Sequence, residues 1–152
     1  MNRKFQDFVE GLHKKYEELI SMLPLTVDTV PKDTPKGGVY LFSEDGRNLY
    51  VGRTKRMIRD RLKDHISTAD DCPFAWRLVR EKTGKKATYK ATGSRKELLK
   101  DSLFKTEYER AKEQIRRMQV RYVGEADPLK QALLEIYVAF VSKAEHNDFD
   151  TH

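Results

Sequence analysis

One cysteine in 152 residues, Cys72, leaves no partner for an internal disulfide and no thiolate set for a metal, and it suits a reducing compartment. No apolar run approaches the ~20 residues that cross a bilayer. The amino-terminal stretch MNRKFQDFVEGLHKKYEEL carries charge throughout and lacks an apolar secretory core, so a cytoplasmic protein with no membrane partner is expected. Repeats, low-complexity tracts and zinc-finger spacings are also missing, and with them any separate module for reading a nucleic-acid sequence.

What is present is charge, at 36% of residues, set against 38% hydrophobic residues that fall in periodic clusters, so the chain is expected to fold as one compact unit. Net charge is +6, unevenly spread. Residues 53–65 hold Arg53, Lys55, Arg56, Arg59, Arg61 and Lys63 against Asp60 and Asp64, a net of +4. Residues 125–152 hold Lys130 and Lys143 against Glu125, Asp127, Glu135, Glu145, Asp148 and Asp150, a net of −4. A basic middle suits a polyanion such as DNA or RNA, with Arg53, Lys55, Arg56 and Arg59 as its contacts. A solvated helix face is the competing reading.

Phe5, Phe8, Val9, Leu12, Tyr16, Leu19, Ile20 and Leu23 recur at helical spacing, which predicts an amphipathic helix over 3–23. Pro24, Pro31 and Pro35 punctuate the linker that follows, so residues 1–36 read as a helix and linker ahead of a domain over 37–152. Within that domain the pattern predicts a hairpin, a helix over 54–66, a helix at PFAWRLVREKTG closed by Gly84, and an extended KKATYKATG segment. A long helix over 94–118 capped by Ser94, a strand QVRYVG and a helix opened by Asp127-Pro128 complete it.

The hairpin carries Gly38-Val39-Tyr40 on one arm and Tyr50-Val51-Gly52 on the other. A three-residue loop, Glu44-Asp45-Gly46, would pair Tyr40 with Tyr50 and Gly38 with Gly52. Val39, Leu41, Leu49 and Val51 would then face the core, and the opposite face would offer two adjacent tyrosine hydroxyls with glycines at its rim, open to a ligand. A cross-strand aromatic pair that only stabilises the sheet is the simpler alternative. On the next helix, Ile58, Leu62 and Ile66 are spaced to face the core, which sets Arg61 and His65 one turn apart at the edge of buried surface. In ALLEIYVAFV, Glu135 is the only charge in an otherwise apolar helix. A carboxylate there needs a partner: a cation such as Arg61, or a metal.

Tyr40 and Tyr50 on one hairpin, Arg61 on the next helix and Glu135 on a late helix together resemble the GIY-YIG nucleases, named for the two hairpin phrases. The resemblance covers residues 37–147. Asn147, shortly after the glutamate, and His65, one turn after the arginine, are similar to restriction-type members. The segment between Gly52 and Arg61 is longer than in repair-type members, which makes Arg59 a rival to Arg61. The stretch 94–118 also separates the hairpin from the glutamate more widely than in minimal members.

The resemblance implies a mixed α/β fold, a small three-stranded antiparallel sheet flanked by helices. It implies an endonuclease hydrolysing DNA phosphodiesters with one Mg²⁺ or Mn²⁺ on Glu135; as one site cuts one strand, a double-strand cut would need two copies, as in a homodimer, or two visits. Arg61 would follow charge onto the phosphate oxygens. The water's proton would go to Tyr40, Tyr50 or His65, a choice the residues leave open; the family analogy favours Tyr40, with Tyr50 orienting water or phosphate and His65 assisting. Asn147 would contact phosphate or support the site. A catalytically inactive nucleic-acid-binding protein on this scaffold, or a protein-interaction module, are the alternatives.

Overall fold

The computed structural model describes residues 1–67, 72–84, 94–147 and 149. In chain order the elements are α1 (Arg3–Ser21), a 3-10 turn (Val27–Thr29), β1 (Lys36–Glu44), β2 (Arg47–Met57), α2 (Ile58–Asp64), α3 (Pro73–Thr83), α4 (Arg95–Leu98), α5 (Ser102–Arg117), β3 (Gln119–Gly124) and α6 (Pro128–Ser142). The strands form one antiparallel sheet in the order β2-β1-β3, so the fold is mixed α/β with a three-stranded antiparallel sheet among helices.

Central β1 is buried on both faces, and its alternating side chains divide the core in two. Val39 and Leu41 pack with Val51, Val123 and the apolar faces of α1 and α6. Tyr40 and Phe42 point the other way, into a cluster with Ile58 and Leu62 of α2, Phe74 and Trp76 of α3, and Tyr108 and Ile115 of α5. Beyond Pro24, Leu25 forms an antiparallel bridge to Val120 of β3, which ties the linker to the sheet.

Local chemistry sets most helix ends. Asn2 accepts from the Phe5 amide, Ser94 from Glu97 and Asp127 from Lys130, each satisfying a donor that the first turn leaves free. Gly84 closes α3 in the left-handed conformation, at φ 72°.

Three expectations fail, each for a physical reason. The hairpin loop has two residues, Asp45 and Gly46, both with positive φ (53° and 77°), the primed turn whose twist matches paired strands. A bulge then shifts the register between Phe42 and Ser43, so Tyr40 faces Gly52 and Phe42 faces Tyr50. Leu49 consequently joins the Tyr40 side of the core instead of the Val39 side. Second, the expected helix over 54–66 starts only at Ile58, because β2 keeps pairing with β1 out to Met57. Third, the helix over 94–118 is broken after Leu98; Asp101 accepts from the Leu103 amide and restarts it as α5. The expected extended segment KKATYKATG lies outside the described residues.

Candidate active site

Tyr40 reaches the site from the middle of the sheet. Its ring lies across Gly52, where an added Cβ would stand 2.3 Å from the hydroxyl, and a Cβ at Gly38 would stand 2.2 Å from the Val123 carbonyl oxygen. Both glycines therefore make room for the protein's own atoms, and neither forms the open rim expected of the hairpin face.

The Tyr40 hydroxyl lies 2.7 Å from His65 Nε2, and His65 Nδ1 lies 2.9 Å from Cys72 Sγ. All three side chains are buried. Burial drives His65 down to about 3, with the charges of Arg61 and Lys112 adding to the effect, so the imidazole is neutral. Burial also pushes the Tyr40 phenol well above its ordinary range; Tyr50 adds to the rise and Arg61 opposes it. The Cys72 thiol is raised by burial as well. This row is a neutral hydrogen-bonded chain in which a proton can sit on either ring nitrogen.

Tyr50 stands one step along. Its ring stacks on Phe74 at 4.7 Å, and Phe74 in turn lies 5.8 Å from the His146 ring. Its phenol is raised by burial and by the neighbouring Cys72 and Glu135, while Arg61 and Arg77 pull it down. Arg61 thus acts electrostatically on both tyrosines, from α2, with Asp64 at 3.7 Å. The backbone N–H of its rival, Arg59, donates to Thr34 Oγ1 in the linker, and the buried Nε of that side chain has no hydrogen-bond partner among the described residues.

Glu135 opens into a cavity of about 350 Å³ that Tyr50, Arg53, Arg77, His146 and Asn147 also line. Its partner is Arg53, whose Nε stands 2.7 Å from Oε2; the expected pairing with Arg61 is not made. Burial raises the Glu135 carboxyl and Arg53 opposes that shift. Among the described residues no group of three or more His, Cys, Asp or Glu side chains converges as a metal site. A hard cation at this wall would have Glu135 as its one protein carboxylate, taken in exchange for Arg53, and the rest of its shell from water and phosphate oxygens.

Asn147 is fastened to the sheet. Its Oδ1 accepts from the Val51 amide at 2.7 Å and its Nδ2 donates to the Val51 carbonyl at 2.8 Å, as a neighbouring strand would. The amides of Glu145 and His146 donate to the Asn48 and Leu49 carbonyls, so residues 145–147 run as a strap along the free edge of β2. Arg47 grips Glu145 through two contacts of 2.8 and 2.6 Å.

Of the basic run, Arg53 is taken by Glu135 and Arg56 by Asp64 at 2.5 Å, while Lys55 is exposed. Sequence reasoning missed His146 and Arg77. Arg77 sits inside a helix pattern that explains it without the site, and His146 reaches the cavity only because the strap docks on β2.

The fold and cavity define an α/β protein with a tyrosine hairpin, an arginine and a carboxylate around one concavity. No family model, curated protein or solved structure matches the chain.

Proposed function

We propose that the protein is a metal-dependent DNA endonuclease that hydrolyses phosphodiester bonds at this cavity. One observation carries the reading: a carboxylate (Glu135), a phenol (Tyr50) and a guanidinium (Arg53) share a concavity, with Arg61 and Tyr40 directly behind it. Phosphodiester hydrolysis asks for that combination of a hard-cation ligand, positive charge for the phosphate and oriented polar groups. Glu135 would hold Mg²⁺ or Mn²⁺, which when bound draws charge from the phosphate and makes water more acidic. Arg61, behind the wall beside the two phenols, would lend its positive charge to the phosphate at longer range. Tyr50 would orient water or phosphate, and Asn147 holds the strap that completes the cavity wall. The buried Tyr40–His65–Cys72 row supports Tyr40 as an anchor for Arg61 more than as a direct base, because its hydroxyl is hydrogen-bonded to His65 and its phenol is raised. Lys55 is the exposed cation for neighbouring phosphates, Arg56 would join it by exchanging Asp64 for a phosphate, and a homodimer would bring the second site that a double-strand cut needs.

Cleavage of supercoiled plasmid with and without Mg²⁺ or Mn²⁺, wild type beside Glu135→Ala, tests the reading. Metal-dependent nicking that disappears in the variant is the expected result. A second reading, a DNA-binding protein without turnover, is favoured by the ion pair that already occupies Glu135; it predicts salt-sensitive binding and intact plasmid.

A further inference from the structure

Hydrolysis at this cavity needs a group that removes a proton from the attacking water. Tyr40 and His65 are both fully buried, hydrogen-bonded to each other, and absent from the cavity wall. Tyr50 lines the wall, but its phenol is pushed up and stays protonated at neutral pH. Among the described residues the wall carries one imidazole, that of His146.

Three features hold the His146 ring in place. Its backbone amide donates to the Leu49 carbonyl at 2.8 Å. Its ring continues the series Tyr50–Phe74–His146. Its Nε2 stands 3.5 Å from Glu81 Oε2 on α3. The negative charge of Glu81 on that side favours a proton on Nε2 and with it a lone pair on Nδ1. Carboxylate, imidazole and water in that order are the arrangement of an oriented base.

We infer that His146 is the general base of this site, with Glu81 as the positioning residue that sets its tautomer; the inference rests on the endonuclease reading. The water oxygen forms a bond to phosphorus and its proton passes to His146. The bond from phosphorus to the bridging oxygen breaks, the electron pair leaves on that oxygen, and solvent supplies the proton that neutralises it. His146 then returns its proton to solvent. Its protonation behaviour agrees with this role. Burial lowers its affinity for the proton, Glu81 and Glu145 raise it, and Arg77 and Arg47 lower it again, with a net fall from the ordinary histidine value. The ring is therefore neutral and able to accept a proton at neutral pH.

Single-turnover cleavage of supercoiled plasmid in Mg²⁺, followed between about pH 5 and 9, tests the assignment with wild type, His146→Gln, His146→Ala, Glu81→Gln and Glu135→Ala. The wild-type rate is expected to climb with the neutral fraction of one group titrating below the ordinary histidine value, then to level. His146→Gln keeps the size and polarity of the ring site, and circular dichroism checks that it folds. It should lose roughly 10²- to 10⁴-fold in rate together with the acid limb. Added imidazole should restore part of the rate to His146→Ala and none to Glu135→Ala. Glu81→Gln should shift the acid limb of the profile. Cleavage by folded His146→Gln at the wild-type rate with an unchanged profile, while Glu135→Ala is dead, would overturn the assignment and leave the nuclease reading standing. Intact plasmid with wild type under every metal would overturn both.

Discussion

A methyl group at Gly52 would overlap the Tyr40 hydroxyl and ring, at 2.3 to 2.6 Å from their atoms. Gly52→Ala should therefore cost about 1–3 kcal/mol, the range for overpacking a tight core, and it should loosen the Tyr40–His65 hydrogen bond. Chemical denaturation measures the first effect; an unchanged midpoint would mean that the tyrosine moves aside without cost. His65 sets a second expectation. An unfolded histidine titrates near ~6.5, whereas the folded one is driven to about 3. Between those values the unfolded chain binds a proton that the folded chain refuses, so stability is full above the upper value and falls as pH drops through the window. Denaturation of wild type and His65→Gln at neutral pH and near pH 4.5 isolates this contribution, because the carboxylates are common to both. The variant should lose distinctly less; equal losses would show that His65 is not held neutral. Both tyrosines and His65 were readable as candidates from residue type and spacing. Their depth was not, because burial depends on α3 and α5, which come from distant parts of the chain.

At the scale of elements, the strap at 145–147 decides whether the cavity has a far wall. Asn147 supplies both of Val51's outward hydrogen bonds, so Asn147→Ala leaves a donor and an acceptor at the sheet edge without partners. A loss of about 1–3 kcal/mol is expected, with faster hydrogen exchange at the Val51 amide and a lower rate of any cleavage. Exchange at Val51 unaffected by the substitution would remove the strap from the account. Local signals foretold the helix starts at Asp127-Pro128 and Ser94 and the stop at Gly84, since capping is a matter of neighbouring residues. The same signals misplaced the hairpin register. A bulge at Leu49 is decided by which side of the sheet offers Leu49 a cavity, and that is a property of the packed core.

At the scale of the whole molecule, the basic run and the acidic carboxy-terminal segment meet, among the described residues, at the Arg53–Glu135 ion pair. Their charges partly cancel there; Lys55 is exposed, and Arg56 would have to exchange Asp64 for a phosphate to meet a polyanion. If DNA is the partner, log K should fall linearly with log salt, by roughly 0.9 for each phosphate neutralised. Lys55→Ala and Arg56→Ala should each flatten that slope by about one contact. Filter binding at a series of salt concentrations reads this directly, and a slope that neither variant changes would move the DNA track to another face.

The sequence by itself determined the class of the fold, the positions of most helix ends and a first set of candidate residues. Periodicity, capping and the ordered spacing of Tyr40, Tyr50, Arg61 and Glu135 are all written along the chain. Only the tertiary structure decided which cation meets Glu135, that Tyr40 and His65 are sealed together with Cys72, and that His146 reaches the cavity. Those outcomes depend on a strand that runs on to Met57, a bulge at Leu49 and a strap paired to an edge. Each is a choice among locally acceptable conformations, made by burial and hydrogen bonding between segments far apart in sequence.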